Sequence, residues 1–299
     1  MLTKSPHGSA APIAGAQAHS LPATQGLRAG ASAGGARLRL LSYNVQTGIS
    51  TRKYRHYVTH SWKHVLPHPQ RLENIHQIGQ LLRDYDVVGL QEVDAGSMRS
   101  EFVNLTEYLA RVGHFPCWCD LTNRRLGRIA QHAMGFLTRV RPDAMSEHRL
   151  PGAIPGRAAL VARYGEGEEA LMIVVVHLAL GRRARQRQYD HVRRLIYAHP
   201  NVIVMGDFNA QSEGDDFLRF LHRSGLREPV HGLHTYPSWR PQRNIDHILV
   251  SPTIKVEDLQ VLDYPYSDHL PIAMEVRLPR SAAAALSRCQ DQSSLGARL

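Results

Sequence analysis

Apolar residues in this chain gather in short runs, and most runs stop on a polar or charged residue. Leu38-Arg-Leu-Leu-Ser-Tyr-Asn44 alternates apolar and polar positions before a turn-forming stretch at Gly48, the period of a sheet strand. Asp86-Val-Val-Gly-Leu-Gln-Glu92 is continuously apolar and β-branched until its end, so it reads as a buried strand with Glu92 at its exit. The same design recurs in Leu171-Met-Ile-Val-Val-Val-His177 and in Val202-Ile-Val-Met-Gly-Asp207-Phe-Asn209. In Ile245-Asp246-His-Ile-Leu-Val250 the acid comes near the start, after a loop rich in Pro and Arg. A last core strand, Leu270 to Val276, follows Ser267-Asp268-His269. Between them, Leu72, Ile75, Ile78, Leu81 and Leu82 recur at helical spacing behind Pro69, and Arg182–Ala198 and Asp215–Ser224 carry helical patterns. Strands too apolar to face water, interleaved with amphipathic helices, predict an α/β layered sandwich with the helices outside.

The ends lack this patterning. Met1 to Arg37 is rich in Ala, Gly, Ser and Pro, cannot bury enough surface to offset its ordering entropy, and is expected to be a disordered lead. Its Ala-rich, acid-free composition is superficially that of a transit peptide. Residues 280–299 are expected to be a flexible tail, since the Ala-Ala-Ala-Ala-Leu-Ser-Arg run is too short for a firm helix by itself. Residues 38–279 remain, an ordinary size for a single α/β or α+β domain.

The net charge is +10, of which the lead carries three and the tail two, leaving five on the core. That balance fits an anionic partner, whether nucleic acid, phospholipid headgroup or phosphorylated small molecule. Cys117, Cys119 and Cys289 make no disulfide framework and no second thiol pair completes a zinc site, so a reducing, cytoplasmic setting is expected. No apolar run is long enough to span a membrane. A monomer is expected.

A carboxylate deprived of water is costly unless a cation or hydrogen-bond donors meet it. One polar strand end is an ordinary edge residue. Five strands ending on Asn44, Glu92, His177, Asp207 with Asn209, and Asp246 with Asp268-His269 instead form a set of hard oxygen ligands and imidazoles suited to phosphoryl chemistry.

Ser42-Tyr-Asn44, Gln91-Glu92-Val-Asp94, Val176-His177-Leu178, Gly206-Asp207-Phe-Asn209, Asn244-Ile-Asp246-His247 and Ser267-Asp268-His269-Leu-Pro271 resemble, in order and spacing, the motifs of the endonuclease/exonuclease/phosphatase (DNase I-like) superfamily. The resemblance spans nearly the whole core. It implies a four-layer α/β/β/α sandwich with two central, mostly antiparallel sheets, and hydrolysis of a phosphoester by in-line attack of water. Carried over residue by residue, Glu92 is the principal ligand of Mg²⁺ or Mn²⁺, with Asn44 beside it and Asp268 completing the metal shell or a second metal position. Asp207 orients and deprotonates the water, Asn209 holds that water or a phosphate oxygen, and His177 donates to the phosphate. His269, its tautomer set by Asp246, contacts the phosphate opposite the leaving group.

Arg99, in the loop after Glu92, is a candidate for reaching the substrate phosphate. Arg182 heads a cluster with Arg183, Arg185 and Arg187, at least half of which are expected on a solvated helix face. Trp239 and Tyr236, in the Pro/Arg loop before Asp246, are candidates for stacking on a base or resting against a headgroup. His56, His60, His64 and His68 recur every four residues, but the resemblance assigns them no role. The chain lacks the Thr-Lys segment and the tyrosine, here His177, of relatives that cut abasic DNA; it looks more like DNase I-like nucleases, sphingomyelinase-like phosphodiesterases and a bacterial subgroup. Nuclease, phospholipid or small-molecule phosphodiesterase or phosphatase, and a non-catalytic phosphate-binding protein all stay open.

Overall fold

The computed structural model describes residues 19–20, 36–48, 69–126, 130–152 and 156–296. In chain order the elements are β1 (His19–Ser20), β2 (Arg37–Asn44), α1 (Pro69–Leu81), β3 (Val87–Asp94), α2 (Leu105–Val112), β4 (Cys117–Leu126), β5 (Ala130–Thr138), β6 (Ala144–Arg149) and β7 (Ala158–Tyr164). They continue with β8 (Leu171–His177), α3 (Arg182–Ile196), β9 (Asn201–Asp207), α4 (Asp215–Ser224), β10 (Asp246–Val250), β11 (Lys255–Val261), β12 (Ile272–Arg277) and α5 (Arg280–Gly296).

Two mixed sheets face each other. The first has the order β1-β4-β5-β3-β2-β12-β11 and the second β10-β9-β8-β7-β6. Each contains one parallel pair, β2–β3 and β8–β9, and is otherwise antiparallel. Leu40, Met134, Phe136, Leu160, Ile173, Val175, Met205 and Met274 fill the space between the sheets. On the outer face of the first sheet, Ile75 and Ile78 of α1 and Leu105 and Leu109 of α2 pack over Leu41, Val88 and Leu90. Tyr189, Val192 and Ile196 of α3, with Phe217 and Phe220 of α4, cover the second sheet. The expected four layers are therefore present, and each apolar strand is buried on both faces, which explains the absence of alternation in β3, β8 and β9.

The tail differs from the expectation. Residues 280–296 form α5, and Ala282, Ala285, Leu286 and Cys289 bury a stripe at i, i+3, i+4 and i+7 beside β7 and β8. An isolated helix of this composition is marginal; docking of the stripe on the inter-sheet core supplies what propensity lacks. In the lead, His19–Ser20 pair antiparallel with Cys117 and Trp118 on the edge of β4. The lead was expected to reach residue 37, but Arg37 already opens β2; for the remaining residues up to 35 the expectation of disorder lies outside the described residues, as do His56, His60, His64 and His68. All three cysteines are free and buried.

Candidate active site

Register puts the second sheet's polar residues in one row. His177 ends β8 directly beside Asp207 on parallel β9, and Asp207 stands opposite Asp246 on antiparallel β10. Gly206 lets this row form: its φ is +145°, and a Cβ there would lie 1.9 Å from the Val176 carbonyl oxygen, so the close approach of β8 and β9 admits no side chain. Asn209 follows at φ +50°, its amide N–H donating to Asp207 Oδ1 at 2.8 Å and its side chain donating to the Leu178 carbonyl at 2.9 Å.

The first sheet brings the rest. Asn44 ends β2, and its Nδ2 donates across the sheet interface to Asp207 Oδ2 at 3.2 Å. Glu92 sits at an irregularity in the β3–β5 pairing with φ +57°, in the left-handed region rarely adopted by residues other than glycine, and Thr47 Oγ1 holds its carbonyl at 3.0 Å. The bulge turns its carboxylate toward the second sheet, where His177 Nε2 lies 3.8 Å from Glu92 Oε1 and 3.4 Å from Asp207 Oδ2. Asp94, two residues on, organises the following loop, accepting from Ser97 N, Ser97 Oγ, Ser100 Oγ and Gly96 N.

Asp268 and His269 precede β12. His269 Nδ1 lies 2.8 Å from Asp246 Oδ2, which also accepts from Thr235 Oγ1, while the Tyr236 ring packs 4.9 Å from the imidazole centroid. Ser238 N and Oγ donate to the carbonyls of Asp268 and Ser267, stitching the Pro/Arg loop to the histidine. Asp207, Asp246 and His269 offer three ligand atoms within 4.8 Å of one another. His269 Nδ1 and Asp246 Oδ2 are bound to each other, while Asp246 Oδ1 is buried without a hydrogen-bond partner among the described residues. The Glu92 carboxylate keeps 34% of its side-chain surface, an oxygen donor open to solvent. With Asn44 and buried Asp268 nearby, the donors are hard oxygens, the chemistry that suits a small divalent cation.

Electrostatics separate the acids. Burial works to raise the Asp207 pKa, but the His177 hydrogen bond, the charges of His177 and His269 and the Asn209 amide hold it well below the usual carboxylate range. Burial pushes Asp268 up to about 6, against the pull of His269 and with the help of Glu92 and Asp207. Burial alone would lower His269; the adjacent Asp246 carboxylate overrides it and takes the imidazole to about 10.

The structure thus gathers Asn44, Glu92, His177, Asp207, Asn209, Asp246, Asp268 and His269 at one end of both sheets. It does not gather Arg182, which is exposed and paired with Asp215 of α4 at 3.1 Å. Trp239 is half-buried in the turn after Tyr236, and Tyr236 is the aromatic residue that touches the cluster. Arg99 lies in the turn Met98–Ser100, with its side chain outside the described part. Sequence reasoning missed Arg157. Burial lowers the pKa of this half-buried arginine, while Asp207 and Glu92 raise it, so the guanidinium lies in the field of both acids. It directly precedes Ala158, the register partner of His177, a proximity visible only once β7 and β8 are paired.

The model of the Endonuclease/Exonuclease/phosphatase family matches residues 41–269. Among solved structures, an endonuclease/exonuclease/phosphatase from Beutenbergia cavernae superposes with a TM-score of 0.64 at 19% identity, covering 81% of this chain and 72% of that one. The Bacteroides thetaiotaomicron mannosyl-6-phosphatase Bt3783 gives 0.56 at 17%, covering 80% and 99%. The human Nocturnin catalytic domain with bound sulfate gives 0.56 at 16%, covering 88% and 98%. At these identities the likeness is one of fold. A comparison with curated proteins finds no match.

Proposed function

This chain belongs to the endonuclease/exonuclease/phosphatase family, and from that premise we propose that it is a divalent-cation-dependent phosphoester hydrolase, with phosphodiesters as its substrate class. The observation that carries this reading is the meeting of two sheets at His177, whose Nε2 lies 3.8 Å from Glu92 Oε1 and 3.4 Å from Asp207 Oδ2, beside the Asp246–His269 pair.

Glu92, with Asn44 and Asp268, would hold Mg²⁺ or Mn²⁺, which supplies neutralising charge at the phosphate. Asp207, held ionised by its neighbours, accepts a hydrogen bond from the attacking water and orients it toward phosphorus. The partners that keep it ionised also make it a modest proton sink, so orientation is its larger contribution. Asn209 holds the water or a nonbridging oxygen. His269, with Nδ1 committed to Asp246, presents its other nitrogen to the phosphate as a cationic donor. His177 and Arg157 complete the donors facing the charge that builds on the phosphate oxygens.

Hydrolysis of bis(4-nitrophenyl) phosphate with Mg²⁺ or Mn²⁺, and its loss in EDTA, tests the reading. Absence of turnover with any divalent ion on mono- and diester substrates would overturn it and leave a phosphate-binding protein. Plasmid, single-stranded DNA and phospholipid vesicles then separate nuclease from lipid phosphodiesterase, and preference for the monoester would assign a phosphatase.

A further inference from the structure

Of the four arginines that follow His177, one behaves differently from the rest. Arg182, Arg183 and Arg187 are exposed, whereas Arg185 opens the inward stripe of α3 that continues through Gln188, Tyr189, Val192 and Ile196. Its side chain keeps only 9% of its surface. Nη1 donates to the carbonyls of Asn209 at 2.8 Å, Leu180 at 2.9 Å and Ala179 at 3.3 Å, and Nε donates to Asp216 Oδ2 of α4 at 2.8 Å. Gln188, one turn on, accepts from Ala179 N at 2.8 Å.

These carbonyls belong to two segments, one leaving β8 after His177 and one leaving β9 after Asp207. The segments also hold each other, since Leu178 N donates to the Asp207 carbonyl and Asn209 Nδ2 to the Leu178 carbonyl. Asn209, strained at φ +50°, is therefore fixed from its side chain by one segment and from its carbonyl by Arg185. A buried ion pair is a weak device for stability, because a well-packed apolar residue often serves as well. A planar guanidinium that reaches carbonyls of two segments and a carboxylate at once is something lysine cannot reproduce.

We propose that Arg185 is a positioning residue for phosphoester hydrolysis, clamping the segment after His177 to the segment after Asp207 so that His177, Asp207 and Asn209 keep their mutual geometry. This rests on the function proposed above. Displacing a reacting group by about 1 Å costs on the order of 100-fold in rate.

The test uses the full chain with Arg185→Met, Arg185→Lys and, as a control on the same helix face away from the clamp, Ile196→Ala. Arg185→Lys keeps a charge opposite Asp216 and guards against a variant that fails to fold. The expected result is a fall in kcat of about 10–100-fold on the diester for both Arg185 variants, with KM within about threefold, at a temperature where all variants are folded. Amide exchange of residues 178–181 and 207–210 should quicken in both, and in Ile196→Ala neither reading should move even if its melting temperature falls further. Unchanged exchange of those segments in Arg185→Met, or a kcat loss matched by Ile196→Ala, overturns the proposal. A wild-type chain without turnover would sink the function itself, and the exchange measurement would still decide whether the clamp exists.

Discussion

Asp207 and Asp246 stand opposite each other on neighbouring antiparallel strands, and each is matched to a different histidine: Asp207 to His177 at 3.4 Å, Asp246 to His269 at 2.8 Å. The two acids are not interchangeable. Asp207 also receives Asn44 and the Asn209 amide and faces the half-exposed Glu92 through His177, whereas Asp246 is turned to Thr235 and His269.

Asp207→Asn is expected to lower kcat by roughly 100- to 10,000-fold while leaving the fold and the metal requirement in place. Steady-state kinetics beside circular dichroism decide it, and wild-type turnover in the variant would remove Asp207 from the role of water acceptor.

Glu92→Gln exchanges a charged carboxylate for a neutral amide of nearly the same shape, and on the proposed role of Glu92 it weakens cation binding. The Mg²⁺ or Mn²⁺ concentration for half-maximal activity should rise by at least about tenfold. Direct Mn²⁺ binding by calorimetry gives the same reading without turnover, and an unshifted titration would take Glu92 out of the coordination shell.

His269 yields a pH prediction with a definite sign. Its folded pKa of about 10 lies above the usual imidazole value, so the folded state binds the proton more tightly. The resulting stability is fully present below about 6.5 and is lost as pH rises through 10. Metal-free protein should therefore melt at progressively lower temperature from pH 7 to pH 10, above the range in which Asp268 titrates. His269→Gln should flatten that slope, and parallel curves for the two proteins would contradict the assignment.

Gly206→Ala should yield little folded protein. Its Cβ would meet the Val176 carbonyl oxygen at 1.9 Å, and the backbone at φ +145° is strained for any L side chain. Soluble expression and a cooperative melt close to wild type would show that β8 and β9 can part without cost.

Deleting α5 by ending the chain at Pro279 should lower the melting temperature by several degrees or more, because the inter-sheet core beside β7 and β8 loses Ala282, Ala285, Leu286 and Cys289. Turnover at low temperature should persist. An unchanged melt would mean that the helix rests on the core without stabilising it.

The central strands were legible because buried runs that stop on Asn44, Glu92, His177 and Asp207 violate the ordinary separation of apolar and polar positions. Their order along the chain was enough to suggest the family. The elements β4 to β7 were harder to read: β6 is half-exposed throughout, and the Ala-rich start of β7 has no period that separates strand from helix. The helix over residues 280–296 was not legible because the stripe from Ala282 to Cys289 is made mostly of small side chains, whose contribution appears only against a core they happen to fit. Arg157 and Arg185 share a cause of a different kind. One owes its place to an antiparallel register and the other to carbonyls on two separate loops, and neither relationship leaves a local mark in the chain.

Because Asn44, Glu92, Asp268 and His269 come from one sheet or its flanking loop, and His177, Asp207 and Asp246 from the other, neither half of the molecule owns the chemistry. The two sheets act as the jaws of a vise whose gap is set by what lies between them, Met134, Met205 and Met274 among the shims. A single enlarged interior side chain, touching no polar group, would open the jaws and carry Asn44, Glu92, Asp268 and His269 away from His177, Asp207 and Asp246 as a block.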